Sequence, residues 1–458
     1  MRPDRREMMG RAAGAMGAMA TGASGATRAT PQDGAKPQAR EGNDWPGFLG
    51  PTGDSVLAGP ELPVWPKEGP AVVWDLELGE GYAPPSAWQG KVYIYDRERR
   101  ESRLRALELA TGKTVWSFSH PADYEDSYGY DGGPRTCPVI AGGRVFVYSA
   151  EGWLHALDAQ SGKVEWKRHL SKEHGVVQNF FGVGSTPVAH GKRLLVQVGG
   201  SPPGSDAGDF PNLKPNGSAL VALNQASGET VWKAGDDLAS YAGPVVAKLG
   251  GADRVLLFAR SGLWSLRAED GPVDWHHPHR AKNLESVNAS NPVVLPEGHV
   301  LITETYGPGG TLLKWDTAKP RVVWSDAEKG RNKSVQGHWN TPVWAGDHVY
   351  LSSGRHESNA ELRAVEWRTG KVAWTEPGLG RCSILRVGSK LVIQAERGPV
   401  VQARVNAAKL DVERAFLPVN KEGAPLLRAP CWAAPVLTRG HLLVRGAGRL
   451  VCLDALGG

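Results

Sequence analysis

The stretch Gly152-Trp153-Leu154-His155-Ala156-Leu157-Asp158-Ala159-Gln160-Ser161-Gly162-Lys163-Val164-Glu165-Trp166 contains the pattern that decides the fold. Its first half is apolar and ends at Asp158, whose carboxylate can accept hydrogen bonds from the amides of a tight turn. Gly162 can adopt the positive φ that such a turn needs. Trp166 then lies in a second strand, where it offers a large apolar area. The stretch predicts a β-hairpin, and because a lone hairpin is marginal in water, it also predicts further strands that pack against it.

The same pattern recurs along the chain. Copies run through residues 104–116 and 220–232, and later copies end on Trp275, Trp324 and Trp374. Successive tryptophans are about 40 to 50 residues apart, except where an insertion precedes Trp232. A strand–turn–strand repeat of this period is typical of a β-propeller with four strands in each blade.

A second series of segments gives the number of blades. Eight continuous apolar runs, each opened by a basic residue, have the character of strands that are buried on both faces. They begin at Lys91, Arg144, Arg193, Arg254, His299, His348, Lys390 and His441. We therefore expect an all-β fold, an eight-bladed β-propeller of four-stranded antiparallel blades, that occupies residues 45–458 as one domain.

The last unit has no tryptophan strand of its own, because the chain ends soon after the apolar run 450–454. The segment 72–74 precedes the first unit and has no partner there. We expect this N-terminal strand to pair with the last blade and close the ring, since the pairing removes two open sheet edges. The seventh unit lacks the Asp–Gly turn, and we expect Phe416 to take the tryptophan position in it.

Composition limits the class of protein. With 458 residues, of which 41% are hydrophobic and 22% charged, the chain can bury a large core. A net charge of +5 is too small to predict nucleic-acid binding. No apolar run approaches the roughly 20 residues of a membrane span, and we expect a monomer. The four cysteines are far apart and form no CxxC or CxxCH motif, so we expect small core residues, with Cys382 and Cys431 open to pairing.

The N-terminal residues differ from the rest of the chain. Arg5 and Arg6 precede a weakly apolar Ala/Gly/Met stretch, and this order predicts a Tat-like export signal over residues 1–26 and a periplasmic or otherwise exported protein. A basic tail without structure is the alternative. Residues 27–44 are polar and contain Pro and Gly, as expected of a linker.

The pattern Ala156-x-Asp158-x-x-Ser161-Gly162-Lys163-x-x-Trp166 resembles the tryptophan-docking motif of propellers of the pyrroloquinoline-quinone (PQQ) repeat family. The segments 44–51 and 181–187 are similar to exported members of that family. The resemblance implies the propeller fold, and it implies one of two functions: a quinoprotein alcohol dehydrogenase, or a scaffold for outer-membrane assembly that binds no quinone. The dehydrogenases carry a vicinal disulfide, a calcium held by Glu and Asn, and a catalytic Asp. This chain has no adjacent cysteines, and we assign none of its residues to those metal-binding or catalytic roles.

The long loops of such a propeller share one face, which we call the long-loop face. They comprise residues 117–134, 167–184, 276–289, 325–339 and the insertion 199–218, whereas the opposite face has tight glycine turns. Binding residues concentrate on long loops of a rigid scaffold. The residues just before the inner strands should ring the channel mouth there: Tyr82, Arg135, Tyr241, Asn288, Trp339, Arg381 and Trp432. Two arginines among aromatic rings suit a planar anion such as PQQ; the alternative is that they fill the channel and pair with carboxylates and carbonyls.

Three smaller patterns have weaker functional interpretations. The run 276–279 contains three histidines, and we expect a solvated loop rather than a metal site. Residues 124–131 predict an acidic, aromatic recognition loop, since their oxygens lack EF-hand spacing. Basic residues on the short-turn face could dock an acidic partner, or could be ordinary turn chemistry.

These patterns predict an exported, non-catalytic propeller that acts as a binding or scaffold module. Its partner is expected to be a protein or a small anionic ligand on the long-loop face. The alternative is a minimal alcohol dehydrogenase that depends on PQQ and calcium.

Overall fold

A computed structural model describes residues 42–59, 61–177, 180–284 and 286–457. Seven four-stranded sheets and one sheet with a fifth, short strand are arranged as an eight-bladed β-propeller, as the sequence predicted. The predicted export signal and most of the predicted linker, up to residue 41, lie outside the described residues. Among the helices of the described residues, none is both long and apolar enough to cross a membrane.

Each blade begins with its inner strand and ends with its outer strand. Blades one to four contain β3 Ser86–Trp88, β4 Lys91–Glu98, β5 Glu101–Glu108, β6 Thr114–Pro121; β7 Val139–Ala141, β8 Arg144–Tyr148, β9 Trp153–Asp158, β10 Val164–His169; β11 Val188–His190, β12 Arg193–Gln197, β13 Leu220–Asn224, β14 Thr230–Ala234; and β15 Val245–Leu249, β16 Ala252–Phe258, β17 Gly262–Arg267, β18 Val273–Pro278. Blades five to seven contain β19 Val293–Leu295, β20 His299–Glu304, β21 Gly309–Lys314, β22 Arg321–Ser325; β23 Val343–Ala345, β24 His348–Ser353, β25 Glu361–Glu366, β26 Lys371–Pro377; and β27 Ser383–Val387, β28 Lys390–Gln394, β29 Val400–Arg404, β30 Asp411–Phe416.

Blade eight contains β31 Val436–Thr438, β32 His441–Gly446, β33 Arg449–Asp454 and, from the N-terminal part of the chain, β2 Val72–Glu77. A further strand, β1 Val56–Leu57, is described below. Helical structure in the described residues is limited to α1 Leu170–His174 and two 3₁₀ turns, Ala207–Asn212 and Pro296–Gly298.

The second strand of every blade is one of the eight apolar runs that the sequence marks. Their central side chains are buried, because each strand is covered by a neighbouring blade on both of its faces. The core is therefore distributed: apolar clusters lie between successive blades rather than at one centre. This explains why the runs are continuous instead of alternating with polar residues.

The repeated tryptophan joins each blade to the next. Trp116 Nε1 donates to the Ala159 carbonyl at 3.3 Å, and Trp166 Nε1 donates to the Gln225 carbonyl at 2.9 Å. The turn glycine of the next blade lies flat against the indole, so that a Cβ on Gly162 would come within 2.5 Å of the Trp116 ring. The same indole N–H bond recurs at Trp74, Trp232, Trp275, Trp324 and Trp374. The recurring Trp and Gly of the sequence are thus the two sides of one contact between blades.

The predicted closure of the ring is confirmed. Strand β2 pairs antiparallel with β33, and Trp74 lies opposite Cys452. The backbone N–H of Asp454 also donates to the carbonyl of Ala71, as the equivalent residues do in continuous hairpins. The hairpin of blade eight is therefore assembled from the two ends of the chain.

The predicted role of Phe416 is wrong. In blade two, Trp166 lies opposite Ala156, whereas the equivalent position of blade seven, opposite Gln402, is occupied by Arg414. Phe416 comes two residues later along the strand. The missing indole comes from Trp65, whose Nε1 donates to the Ala455 carbonyl at 2.9 Å.

Trp65 is held against blade seven by several contacts. Its backbone N–H donates to Gln402 Oε1 at 3.1 Å, and its carbonyl accepts from Arg414 Nε at 2.7 Å. Its ring meets Phe416 edge to face, with 5.8 Å between ring centres. A residue outside the repeat thus supplies the indole that the seventh repeat lacks.

The N-terminal segment 43–57 lies across the ends of the inner strands at the short-turn face. Trp45 forms a two-bond bridge with Ala87, and the Pro46 carbonyl accepts from Ile140 N at 2.7 Å. Strand β1 then pairs parallel with β27, so that blade seven gains a fifth strand next to the channel. The segment therefore closes one end of the channel, which the sequence did not predict.

One further expectation is corrected, and one open alternative for the cysteines is decided. The histidine run is not a solvated loop: His276 belongs to β18 and stacks on Trp264 with 4.4 Å between ring centres, and His279 is buried. Burial lowers the pKa of His279 to about 4, so this imidazole is neutral at neutral pH. All four cysteines are buried and free, so Cys382 and Cys431 do not pair.

Candidate functional site

A cavity of about 200 Å³ lies on the axis of the propeller, toward the long-loop face. All eight blades contribute the residues that precede or begin their inner strands. Phe48, Leu49 and Ser55 of the N-terminal segment form its floor. The propeller therefore has a blind central cavity whose walls are mostly apolar and aromatic.

The predicted mouth residues fall into two groups. Tyr82, Arg135, Tyr241, Trp339 and Trp432 line the cavity. Asn288 and Arg381 do not, because their neighbours or partners lie between them and the cavity. Asn288 is only 1% exposed, and its Nδ2 donates to the carbonyls of Ala259 and His279. This amide joins the loops of blades four and five, while Val287 and Ala289 face the cavity.

Arg135 is paired with a carboxylate. Its Nη2 donates to Asp126 Oδ2 at 3.0 Å and to the Asp131 carbonyl at 2.8 Å, and its guanidinium carbon lies 4.9 Å from the centre of the Tyr124 ring. Asp126 also accepts from Tyr124 Oη and from the backbone N–H groups of Tyr128 and Tyr130. This carboxylate therefore neutralises Arg135 and holds the shape of the loop 124–131.

Arg381 is likewise paired with a carboxylate. Its Nε lies 3.0 Å and 3.1 Å from the two carboxylate oxygens of Glu396, and Trp432 Nε1 donates to the same carboxylate at 2.8 Å. Burial alone would raise the pKa of Glu396, but the bonds from Arg381 and Trp432 hold it below its ordinary value. The guanidinium lies 5.0 Å and 4.9 Å from the ring centres of Trp339 and Trp432. Arg381 thus supports the two indoles from behind.

A continuous series of rings surrounds the mouth. Trp432 contacts Tyr82, Tyr130 and Trp339, with ring centres 4.8 to 5.8 Å apart. Tyr130 in turn meets Phe181, and Phe181 meets Tyr241. We call these six residues, together with Tyr128, the aromatic mouth. Tyr128 is 53% exposed and Tyr130 is 38% exposed, so the series leads from solvent into the cavity.

The titratable groups that line the cavity are neutral or paired. Burial and the nearby Asp131 raise the pKa of Tyr82 to about 12, and burial raises that of Tyr241 as well. Burial, with Arg381 and Arg355 nearby, lowers the pKa of His338 to about 3. Its Nε2 lies 3.1 Å from Tyr306 Oη, and both residues line the cavity. The site offers apolar contact and hydrogen bonds rather than a reactive acid or base.

The residues around the cavity fit neither calcium nor PQQ. Calcium takes six to eight oxygen ligands, with carboxylates prominent among them, yet no Asp or Glu lines the cavity within the described ranges. No group of three or more His, Cys, Asp or Glu in the described part of the chain is arranged to hold a metal. PQQ is an anion and needs available cations, but Arg135 and Arg381 are already neutralised by Asp126 and Glu396.

Sequence reasoning missed several members of this site. Phe181 lies in a segment marked for its resemblance to exported propellers, and Tyr130 lies in the predicted recognition loop, but neither was placed at the mouth. Tyr306 and His338 follow or precede strands of blades five and six and carried no signal of their own. The floor residues Phe48 and Leu49 were assigned to the domain without a role.

The comparisons with known proteins agree with the fold. The model of a protein family described as outer membrane protein assembly factor BamB matches residues 100–376. The outer membrane protein assembly factor BamB of Shewanella oneidensis is 24% identical over 284 residues, which cover 61% of this chain and 65% of the relative. The crystal structure of BamB from Moraxella catarrhalis superposes with a TM-score of 0.54 at 14% identity, over 84% of this chain and 99% of that one.

A shorter match connects the chain with quinone enzymes. The dehydrogenase subunit of the quinone alcohol dehydrogenase of Gluconacetobacter polyoxogenes is 41% identical over 91 residues. These residues cover 18% of this chain and 11% of the relative. The chain therefore matches about a tenth of the length of that enzyme, a segment equivalent to about two blades.

Proposed function

This chain belongs to the family of the outer membrane protein assembly factor BamB, and from that premise we propose that it is a non-catalytic propeller that binds a protein partner on its long-loop face. The observation that carries the proposal is the aromatic mouth, in which exposed Tyr128 and Tyr130 continue into half-buried Trp432 and Trp339. Tyrosine and tryptophan are enriched at the centres of protein interfaces, where they bury a large area at a small entropic cost.

The ion pairs of Arg135 and Arg381 support a role in binding rather than in catalysis. Arg135 is held by Asp126, and Arg381 is held by Glu396, so neither guanidinium is available to a quinone. Instead, these ion pairs fix the positions of the loop 124–131 and of the two indoles. A preformed apolar mouth of this kind binds with little loss of side-chain freedom. We therefore propose that an apolar side chain of the partner enters the central cavity.

A cross-linking experiment tests this proposal. A photoreactive p-benzoylphenylalanine replaces Tyr128 in the full chain, expressed in its natural host, and adducts are identified by mass spectrometry. The matched control carries the same group at Lys163, which is exposed in a short turn on the opposite face. We expect one dominant adduct from position 128, lost when Tyr130→Ala and Trp432→Ala are added, and none from position 163. Equal adducts from both positions would contradict the proposal.

The dehydrogenase is the second candidate, because the 91-residue match to a quinone alcohol dehydrogenase favours it. The purified protein is titrated with PQQ in the presence of calcium, and reduction of an artificial dye is followed with short alcohols. Under the binding-module proposal we expect neither saturable PQQ binding nor alcohol-dependent dye reduction. Tight PQQ binding with turnover would replace our proposal by the alternative.

We also propose that the protein is exported, which the twin arginines Arg5 and Arg6 before a weakly apolar stretch support. Cell fractionation should then find it in the periplasm. The double change Arg5→Lys and Arg6→Lys should retain it in the cytoplasm, and unchanged export of this variant would refute a twin-arginine signal.

A further inference from the structure

A second cavity, of about 330 Å³, lies on the long-loop face among blades two, three and four. Its walls come from α1 and residues 176–177 and 182–185, from the insertion between β12 and β13, and from the segment 238–240. Gly184 borders both this cavity and the central one, and the other lining residues differ. The volume falls within the roughly 300–1,000 Å³ of pockets that hold small molecules.

The cavity is apolar apart from a few groups. Its apolar lining consists of Val176, Val177, Val183, Val198, Phe210, Leu213 and Leu238. Three charged side chains also border it: Arg260, exposed Lys172 and Glu151. Glu151 is engaged at one oxygen, since its Oε1 accepts from the backbone N–H of Tyr124 at 3.0 Å.

Arg260 differs from the arginines at the central mouth because no carboxylate of the described residues pairs with it. It is only 7% exposed, and its guanidinium carbon lies 4.0 Å above the centre of the Phe210 ring. Within the described residues, its guanidinium donates no hydrogen bond and forms no ion pair. Arg97 and Arg445 are also buried without a carboxylate partner, but they donate to backbone carbonyls, whereas the guanidinium of Arg260 makes no such bond among the described residues.

The acid that acts on Arg260 electrostatically, Asp237, is bound elsewhere. Its carboxylate accepts from the backbone N–H of Ser261, from Ser261 Oγ at 2.5 Å and from Trp264 Nε1 at 2.9 Å. Arg280 adds a second positive charge in the neighbourhood, with no carboxylate within ion-pair distance in the described part of the chain. Burial, together with Arg280, lowers the pKa of Arg260 to about 10, so the side chain is charged at neutral pH.

A buried charge without a partner is unfavourable, and proteins normally pair such a charge. A guanidinium with free donors in a fixed fork matches the two oxygens of a carboxylate. The remaining walls are mostly apolar, apart from Lys172, Glu151 and a few uncharged polar side chains. Arg260 therefore lacks an anionic partner, and the cavity leaves space lined by apolar side chains beside the position that such an anion would occupy.

We propose that this cavity binds a small organic carboxylate with an apolar body, whose carboxylate is held by Arg260 while its carbon chain packs against the valines, Leu238 and Phe210. The site is separate from the aromatic mouth, so it does not depend on the proposed protein partner. The propeller would then carry a small-molecule site in addition to its docking face.

Isothermal titration calorimetry of the full chain tests the proposal with a series of probes: butyrate, hexanoate, octanoate and the uncharged octanamide. We expect saturable octanoate binding, with affinity rising about fourfold for each added methylene as apolar surface is buried. Octanamide should bind at least tenfold more weakly than octanoate. Inorganic phosphate should bind weakly, because it has no apolar body.

Three variants locate the site. Arg260→Gln should weaken octanoate binding about ten- to hundredfold, since it removes a charge-assisted hydrogen bond. Arg260→Lys keeps the charge but loses the fork, so its affinity should fall between those of the wild type and Arg260→Gln. Arg135→Gln is the matched control, because it removes an arginine from the central cavity, and it should leave octanoate binding unchanged. Thermal melts confirm that each variant is folded.

The proposal is overturned if no member of the series binds to the folded wild type. It is equally overturned if Arg260→Gln and Arg260→Lys both retain the wild-type affinity for octanoate, or if phosphate binds as tightly as octanoate. Loss of octanoate binding in Arg135→Gln alone would move the site to the central cavity. Cross-linking at position 128 tests partner binding at the aromatic mouth, and calorimetry tests carboxylate binding in the second cavity, so the failure of one proposal can be distinguished from the failure of the other.

Discussion

Trp65 provides the sharpest test of how the ring is held closed. It is 2% exposed, its indole N–H donates to the Ala455 carbonyl, and its ring packs on Phe416. A tryptophan buries about 150–250 Å², and at about 25 cal/mol per Å² this corresponds to about 4–6 kcal/mol. Measured losses for replacing a core Trp by Ala are about 3–5 kcal/mol. We therefore expect Trp65→Ala to lower the free energy of unfolding by about 4 kcal/mol.

The assay is urea unfolding followed by circular dichroism, because Trp65 itself would contribute to a fluorescence signal. Trp65→Phe keeps most of the apolar area and loses the indole N–H, so it should cost about 1 kcal/mol, the net contribution of one hydrogen bond. Trp374→Ala is the matched control, since Trp374 makes the same kind of bond to Asn406 within the regular repeat. If Trp65 substitutes for the absent eighth tryptophan, the two alanine variants should lose similar stability. A loss below 1 kcal/mol for Trp65→Ala, beside a large loss for Trp374→Ala, would refute the reasoning.

Three further predictions concern stability. Deleting residues 45–78 removes β2 and Trp65, so it should lower the melting temperature sharply and cause aggregation that light scattering detects, whereas deleting residues 1–40 should do neither. Equal melting temperatures for the two deletions would contradict the proposed closure of the ring. Gly162→Ala should lower the free energy of unfolding in urea by about 2 kcal/mol or more beyond Gly143→Ala. Both glycines have positive φ, but only a Cβ at 162 meets the Trp116 ring. Equal losses would show that this contact does not stabilise the fold. Burial lowers the pKa of His155 and of His338 to about 3, so these imidazoles take up protons in the unfolded chain, and not in the folded one, as pH falls below about 6.5. Each histidine should therefore lower the free energy of unfolding by about 1.4 kcal/mol per pH unit down to pH 5. A urea midpoint for wild type that does not fall from pH 7 to pH 5 would show that these imidazoles are solvated.

The sequence by itself determined the blades, because each blade is a local object. A second strand covered on both faces must be apolar throughout, and the tight turn between the third and fourth strands requires its Asp and Gly within a few residues. These demands repeat in every blade, so Arg144–Tyr148 and Trp153–Asp158 can be identified without knowing their neighbours. The closure by β2 was also predictable, since one strand was missing at one end and one strand was unpaired at the other.

Only the tertiary structure decided what lies between the repeats. Trp65 meets Ala455 across 390 residues, and no periodicity connects a single residue of the N-terminal segment with the end of the chain. Of the seven residues that the sequence predicts at the channel mouth, five line the cavity. The sequence could not show that Asp126 and Glu396 neutralise Arg135 and Arg381. It gave no sign that Arg260 is buried beside a cavity with no such partner. Charge pairing depends on side chains meeting within about 4 Å, and that distance is set by how the loops fold and the blades pack, not by spacing along the chain.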